Sequence, residues 1–393
     1  MRPEDFAAIE LARYELRLQA FDAVGLPFYL GSTLRGAFGQ ALKNAVCVMP
    51  HRNCERCLVA DRCGYPYIFE TPPPQDLSRL RGQQRVPHPF ILTPPIPKFV
   101  HPRSSQKLNA RPEPVSPFRL ADGRAVRLVQ SPELTSVEPR RNLKTGDQLT
   151  FGLMLMGRAT EYMPYVVYAV SEMARHGLGA DRGRFELSEV ALIDEHGAAQ
   201  KIYSGETQRL AVPGQATKRL SDLISRRLEQ LAATDGFSTG TIGLRFMTPT
   251  RIRVEGDLQV GLSFELLARN LLRRVSLLAA VHGQAPLAVD YRRLIDLAGS
   301  VKTHSLSLRW WDWERYSNRQ QTKVSLGGFV GEICFAGDAL GEFLPLIAAG
   351  EILHIGTGTS FGLGKYRMMI PQDNGSETTE GPGTERAANG IKP

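Results

Sequence analysis

Four cysteines stand between residues 47 and 63, spaced Cys47-x6-Cys54-x2-Cys57-x5-Cys63. The Cys54/Cys57 pair has the spacing of a zinc knuckle, where a tight turn lets two thiolates meet one ion. Cys47 and Cys63 can complete a tetrahedral set. Clustered cysteines in a reducing compartment argue for metal rather than a disulfide framework. Zinc is favoured over an iron–sulfur cluster, and its role here is structural, pinning the segment that carries it. Reduced cysteines packed in a small core are the reading that needs no metal.

A second cluster is Gly356-Thr357-Gly358-Thr359-Ser360-Phe361-Gly362-Leu363-Gly364-Lys365-Tyr366-Arg367. Glycines at this density let a backbone turn sharply and approach a ligand. Successive free N–H groups form an anion-binding concavity. Hydroxyls from Thr357, Thr359 and Ser360, with charge from Lys365 and Arg367, suit a phosphate backbone. No Gly-Lys-Ser/Thr opens a helix here, so this is not a nucleotide P-loop. The plain alternative is a turn joining helix to strand. Aromatic rings and charges also interleave from Arg309 through Trp310, Trp311, Trp313, Arg315 and Tyr316 to Arg319. Such a stretch can stack unpaired bases and hold phosphates, or form a hairpin whose rings turn inward. Arg269, Arg273 and Arg274 can line the same face, although a solvated helix face is the default for such charges.

The elements that must position these groups are legible in outline. The chain has 393 residues, a net charge of +8 and an isoelectric point near 9.3. That length suits two domains, and the charge favours anionic partners, nucleic acid above all. No apolar run is long enough to span a bilayer, and the start lacks an apolar signal core, so a cytoplasmic protein without a membrane partner is expected. Alternation over 13–20 predicts a strand. Ser32 is placed to cap a helix reaching Val46. Proline-rich sequence over 65–123 reads as a long irregular insertion. A strand near 149–155, a helix near 160–175 and a strand near 184–193 follow. The second part reads as a strand from about 240, helices at 262–281 and 290–298, strands at 304–313 and 322–336, a helix at 339–349 and a last strand at 364–370.

The two parts echo each other. Gly157, Pro164 and Gly177-Leu178-Gly179 recur as Gly337, Pro345 and Gly362-Leu363-Gly364. The fold class expected is α+β, two ferredoxin-like β-α-β-β-α-β halves with a cysteine-bearing insertion in the first. The first half covers 1–194, with the insertion at about 47–123. A linking segment spans 195–239, the second half 240–370, and a disordered tail 371–393.

At the glycine-rich loop the sequence resembles the RAMP superfamily of CRISPR-associated proteins. Trp313-Glu314-Arg315-Tyr316-Ser317-Asn318-Arg319-Gln320, Leu326-Gly327-Gly328-Phe329-Val330-Gly331 and Gly31-Ser32-Thr33-Leu34-Arg35-Gly36-Ala37-Phe38-Gly39 are similar to the family that processes CRISPR precursor RNA. The resemblance implies an endoribonuclease that binds CRISPR repeat RNA and cuts it without catalytic metal, through attack of the 2′-hydroxyl on the adjacent phosphate. It implies a histidine in or just after the first helix. His51 stands there, with Lys43 and Arg52 near it in sequence and Tyr29 in the preceding loop. His304 and His354 are the other histidines weighed. The runner-up is a non-catalytic RNA-binding subunit of a CRISPR effector complex. A third reading, a zinc-stabilised DNA-binding protein, is separated by the need for a 2′-hydroxyl.

Overall fold

The computed structural model describes residues 1–51, 53–73, 86–96, 118–119, 125–126, 140–254, 256–259, 261–311, 314–317 and 322–371. Strand β1 (Glu10–Ala20) buries Ala12, Tyr14, Leu16 and Leu18 on one face and sets Arg13, Glu15 and Arg17 on the other. After β2 (Val24–Pro27), helix α1 (Gly31–Val46) buries Leu34, Phe38 and Leu42. Its N-cap is Leu30 rather than Ser32. Ser32 lies inside the first turn, its hydroxyl buried and unbonded among the described residues. Strand β3 (Phe90–Thr93) falls inside the stretch expected to be irregular. It is four residues long and wholly apolar up to Thr93, so pairing with a neighbour rather than its own pattern makes it a strand. Then come β4 (Gln148–Met156), α2 (Met163–His176) and β5 (Phe185–Ile193).

The segment 195–239 is also more ordered than expected. It holds β6 (Ala199–Ser204) and α3 (Leu220–Ala232). Leu220, Leu223, Ile224 and Leu231 are the buried stripe of α3. The second part contains β7 (Thr241–Thr250), α4 (Phe264–His282), α5 (Tyr291–Ala298), β8 (Lys302–Trp311), β9 (Gly328–Ala336), α6 (Leu344–Leu353) and β10 (Tyr366–Met369). No described helix is long and apolar enough to cross a membrane.

The first sheet runs β6-β5-β1-β4-β3, and the second β8-β9-β7-β10, with every pairing antiparallel. Within each half the strands therefore stand in the same spatial order: fourth, first, third, second. Each sheet has its own apolar core. Leu11, Ile91, Met154 and Met156 lie on the other side of the first sheet and join the second core. The halves are thus cemented by apolar burial, worth about 1.5–3 kcal/mol per large side chain. A small third cluster sits at their junction, where Tyr29 meets Trp311, Leu326, Val330 and Leu363.

Candidate nucleic-acid interface

The first helix and the glycine-rich loop, far apart in sequence, meet at this junction. Tyr29, just before α1, donates its hydroxyl to the Phe361 carbonyl at 2.9 Å. The ring is buried edge-on to Trp311, centroids 6.1 Å apart. Burial pushes this phenol above its usual range, so Tyr29 is a fixed donor and not a proton carrier near neutrality. One turn into α1, Arg35 donates Nε to Ser360 Oγ at 3.0 Å. Its guanidinium lies 4.7 Å from the Phe361 ring centroid and 5.2 Å from that of Phe69.

The same guanidinium lies 3.2 Å from His88 Nε2. A guanidinium only donates, so His88 Nε2 accepts and the ring proton sits on Nδ1. Nδ1 faces Thr71 Oγ1 at 2.7 Å, and that hydroxyl donates its own hydrogen bond to the Ile68 carbonyl at 3.3 Å. Burial, with Arg35 nearby, holds the His88 imidazole down to about 4. A second histidine, this one buried, lies alongside. His282, the last residue of α4, sits 3.1 Å from the Tyr67 hydroxyl and 2.8 Å from the Pro87 carbonyl, and burial holds it at about 4 as well. Arg158 covers the Tyr67 ring at 4.4 Å.

Both imidazoles are therefore neutral in the folded protein at pH 7. The sign of the pH dependence follows. Between about pH 6.5 and about pH 4 the unfolded chain binds more protons than the folded one, so stability falls as pH drops through that window. Each histidine contributes on the order of 2 kcal/mol, fully present above about pH 6.5 and lost towards about pH 4. Urea unfolding at about pH 7.5 and about pH 4.5 checks this, with a lower midpoint expected at the acid pH and a smaller difference in His88→Asn. Equal midpoints for the native chain would contradict it.

The loop uses its glycines chiefly for close packing. A Cβ on Gly362 would lie 2.5 Å from Pro94 Cδ and 2.7 Å from the Leu92 carbonyl oxygen. Gly356, Gly358, Gly362 and Gly364 all have left-handed φ. The row of open N–H groups expected from the sequence is largely closed. Thr357 N–H bonds the Arg251 carbonyl at 2.8 Å, Gly364 N–H the Pro249 carbonyl at 3.0 Å, and Lys365 N–H the Thr248 hydroxyl at 2.9 Å. Phe361 and Gly362 bond within the loop itself. Thr359 and Ser360 are buried. Burial and Arg367 push the Lys365 ammonium down. Arg367 is exposed on β10, opposite Arg245 of β7.

Other expected residues are dispersed. His354 is buried with φ of +60° and its Nδ1 3.2 Å from the Leu363 carbonyl, so it braces the loop, and burial holds it far below the usual range. His304 is exposed at a bulge near the start of β8. Trp310 and Trp311 are buried, which removes them as base-stacking platforms. Arg269 pairs with Glu265 at 2.7 Å. Arg273 reaches Asn270 Oδ1 at 3.4 Å. Arg274 is partly buried, donates to the Leu353 carbonyl at 2.9 Å, and is lowered to about 10 by desolvation, so its guanidinium is turned from the outer face. For Arg315 only the backbone, on strand Glu314–Ser317, is described. Arg52, Trp313, Arg319 and the tail beyond 371 lie outside the described residues.

Cys47, Cys54, Cys57 and Cys63 line one cavity at the C-terminal end of α1, together with Lys43 and Asn53. Among the described residues no three His, Cys, Asp or Glu side chains already stand at metal-holding spacing. Lys43 covers the Tyr65 ring at 5.1 Å. His51 is exposed, its Nδ1 accepting the Asn53 N–H at 3.1 Å. Lys43 lies about 18 Å further along α1 than Gly31, at about 1.5 Å per residue, so Tyr29 does not share a site with Lys43 and His51. The interface instead adds Arg35 and His88 to the expected Tyr29 and Ser360. Arg35 is part of a motif visible in the sequence, whereas His88, between two prolines, carries no local signal.

Residues 244–366 match the family model described as CRISPR-associated endoribonuclease Cas6, and residues 9–120 and 98–215 match a model described as an N-terminal domain. An uncharacterised protein of Archaeoglobus fulgidus is 23% identical over 363 residues, covering 92% of this chain and 98% of that protein. Among solved structures, a Cas6 product complex is 16% identical with a TM-score of 0.46, covering 92% of this chain and 100% of the other. Thermus thermophilus Cas6 is 13% identical with a TM-score of 0.42, covering 92% and 100%.

Proposed function

From the match of residues 244–366 to the model of CRISPR-associated endoribonuclease Cas6, we propose that this chain belongs to that family, binds CRISPR repeat RNA and cuts precursor transcripts into guide RNAs without catalytic metal. The family match carries this reading, since residues 244–366 include most of the glycine-rich loop and the strands that hold it. The shared strand order of the two sheets supports reading each half, 1–194 and 240–370, as ferredoxin-like.

In the proposed reaction the 2′-oxygen bonds to the adjacent phosphorus and the P–O5′ bond breaks. A base takes the 2′-hydroxyl proton and an acid protonates the departing 5′-oxygen, leaving a cyclic phosphate and a free 5′-hydroxyl. The negative charge that develops on phosphorus needs a cation. Arg35 is the cation placed at the loop. Moving that guanidinium onto a phosphate frees His88 Nε2, whose lone pair can then accept a proton. His51, exposed beyond the end of α1 with Lys43 behind it, is the alternative proton carrier. Thr357, Gly358 and exposed Arg367 extend the RNA-facing surface in this reading.

A non-catalytic subunit that holds RNA is the second reading, favoured by the burial of His354 and the lowered imidazole of His88 beside the loop. The two separate on a labelled repeat RNA beside a shuffled RNA of equal length. One discrete cut in the repeat alone is expected. Tight binding without a cut would select the second reading, and equal treatment of both RNAs would defeat both.

A further inference from the structure

The four cysteines have no role in the proposed cleavage, although His51 stands among them. Their segment begins where α1 ends, with Cys47 as C-cap and its N–H on the Lys43 carbonyl at 3.0 Å. Two short turns follow. Cys54–Arg56 is closed by the Cys57 N–H on the Cys54 carbonyl at 3.2 Å. Ala60–Arg62 is closed by the Cys63 N–H on the Ala60 carbonyl at 3.3 Å. Each turn thus delivers a cysteine at its exit, and all four cysteines face one cavity.

Apolar burial does not hold this segment together. Neither turn buries a residue. Val48 is 83% and Leu58 93% exposed. A stretch that shapes two turns and aims four thiols at one space, yet has no core, is built like a small domain that depends on a cross-link. None of the four is in a disulfide.

We propose that Cys47, Cys54, Cys57 and Cys63 form a closed, tetrahedral, structural zinc site. Four thiolates leave no open position on the ion, so the site does no chemistry on RNA. Binding draws in side chains that stand apart without the ion, as expected where the metal supplies part of the folding free energy. Lys43 on the cavity wall offsets part of the negative charge of the filled site. The site also has something to hold. Tyr65, two residues after Cys63, stacks on Phe69 with centroids 5.5 Å apart, and Phe69 carries Arg35. Thr71 closes the helical turn Pro66–Glu70 that Tyr65 opens, and it holds His88. The ion therefore anchors the strut that fixes the Arg35–His88 pair from behind.

The test is elemental analysis of the full chain purified without chelator or added metal, followed by titration with an organomercurial and a chromogenic zinc indicator. About one zinc per chain is expected, released in step with loss of about four thiols. Cys54→Ser with Cys57→Ser should lower bound zinc by about tenfold, while Cys334→Ser, on β9, keeps it. A native chain without zinc, iron in its place with the visible absorbance of a cluster, or full zinc in the double variant would each overturn the assignment. If the double variant does not fold, stoichiometry and mercurial release from the native chain still decide.

Discussion

Replacing Arg35 with alanine is expected to slow repeat-RNA cleavage by about a hundredfold or more, the loss seen when one positioned donor to a developing oxyanion is removed. The residue ties together every part of the proposed centre. It bonds Ser360 of the loop, stacks on Phe361 and Phe69, and meets His88 Nε2. Alanine removes all four contacts. Lysine keeps the charge but loses the flat face and the fork that serve ring and hydroxyl together, so Arg35→Lys should recover only part of the rate. Single-turnover cleavage and RNA binding, measured side by side, make the test specific. A purely structural role predicts a fall in melting temperature with the cleavage rate of the folded fraction unchanged. Native-like cleavage by Arg35→Ala would remove this residue from the chemistry.

Two glycines of one helix should respond in opposite directions. A Cβ on Gly31 would lie 1.9 Å from the Phe361 carbonyl oxygen, the acceptor of the Tyr29 hydroxyl, and 2.6 Å from Tyr29 Cε1. Backbone cannot yield as a side-chain tip can. Either the loop or the helix must shift, at a cost of about 2–3 kcal/mol. Further along α1, a Cβ on Gly36 meets nothing within 4 Å. There alanine brings only its better helix propensity, a gain of about 0.5–1 kcal/mol. Urea midpoints for the two variants give the comparison. Gly31→Ala should fall and also lose cleavage, and Gly36→Ala should rise and keep it. Similar shifts in both would mean that the helix and the glycine loop do not touch as described.

The contrast between these positions also shows where sequence reading reaches. Gly31 and Gly36 look alike in the sequence, and only the loop arriving from the other half separates them. Periodicity carried β1, α1, β4 and α4, because each buries one regular face. Helical spacing also runs through Leu220, Leu223, Ile224 and Leu231 of α3, although that stretch was expected to be an irregular link. Strand β3 had no such signature. Four residues bordered by prolines become a strand by pairing with β4. The loop's N–H groups looked open because their partners, Arg251, Pro249 and Thr248, lie on a different element. The sequence leaves Trp310 and Trp311 open between base platforms and inward-packed rings, and long-range packing turns both inward. The candidate centre was half visible for the same reason. Arg35 and Ser360 each stood in a recognisable motif, while their contact, and the arrival of His88, depend on tertiary structure alone.

Cleavage driven by the RNA's own 2′-hydroxyl at this interface is decided by one comparison. A labelled repeat RNA is incubated with the protein in excess EDTA, beside the same RNA carrying a single 2′-deoxy nucleotide at the cut site. Cutting of the first, with a cyclic phosphate on the upstream product, and none of the second is the result expected. Cutting of both RNAs, or cutting of the first that stops in EDTA and returns with a divalent cation, would contradict the account.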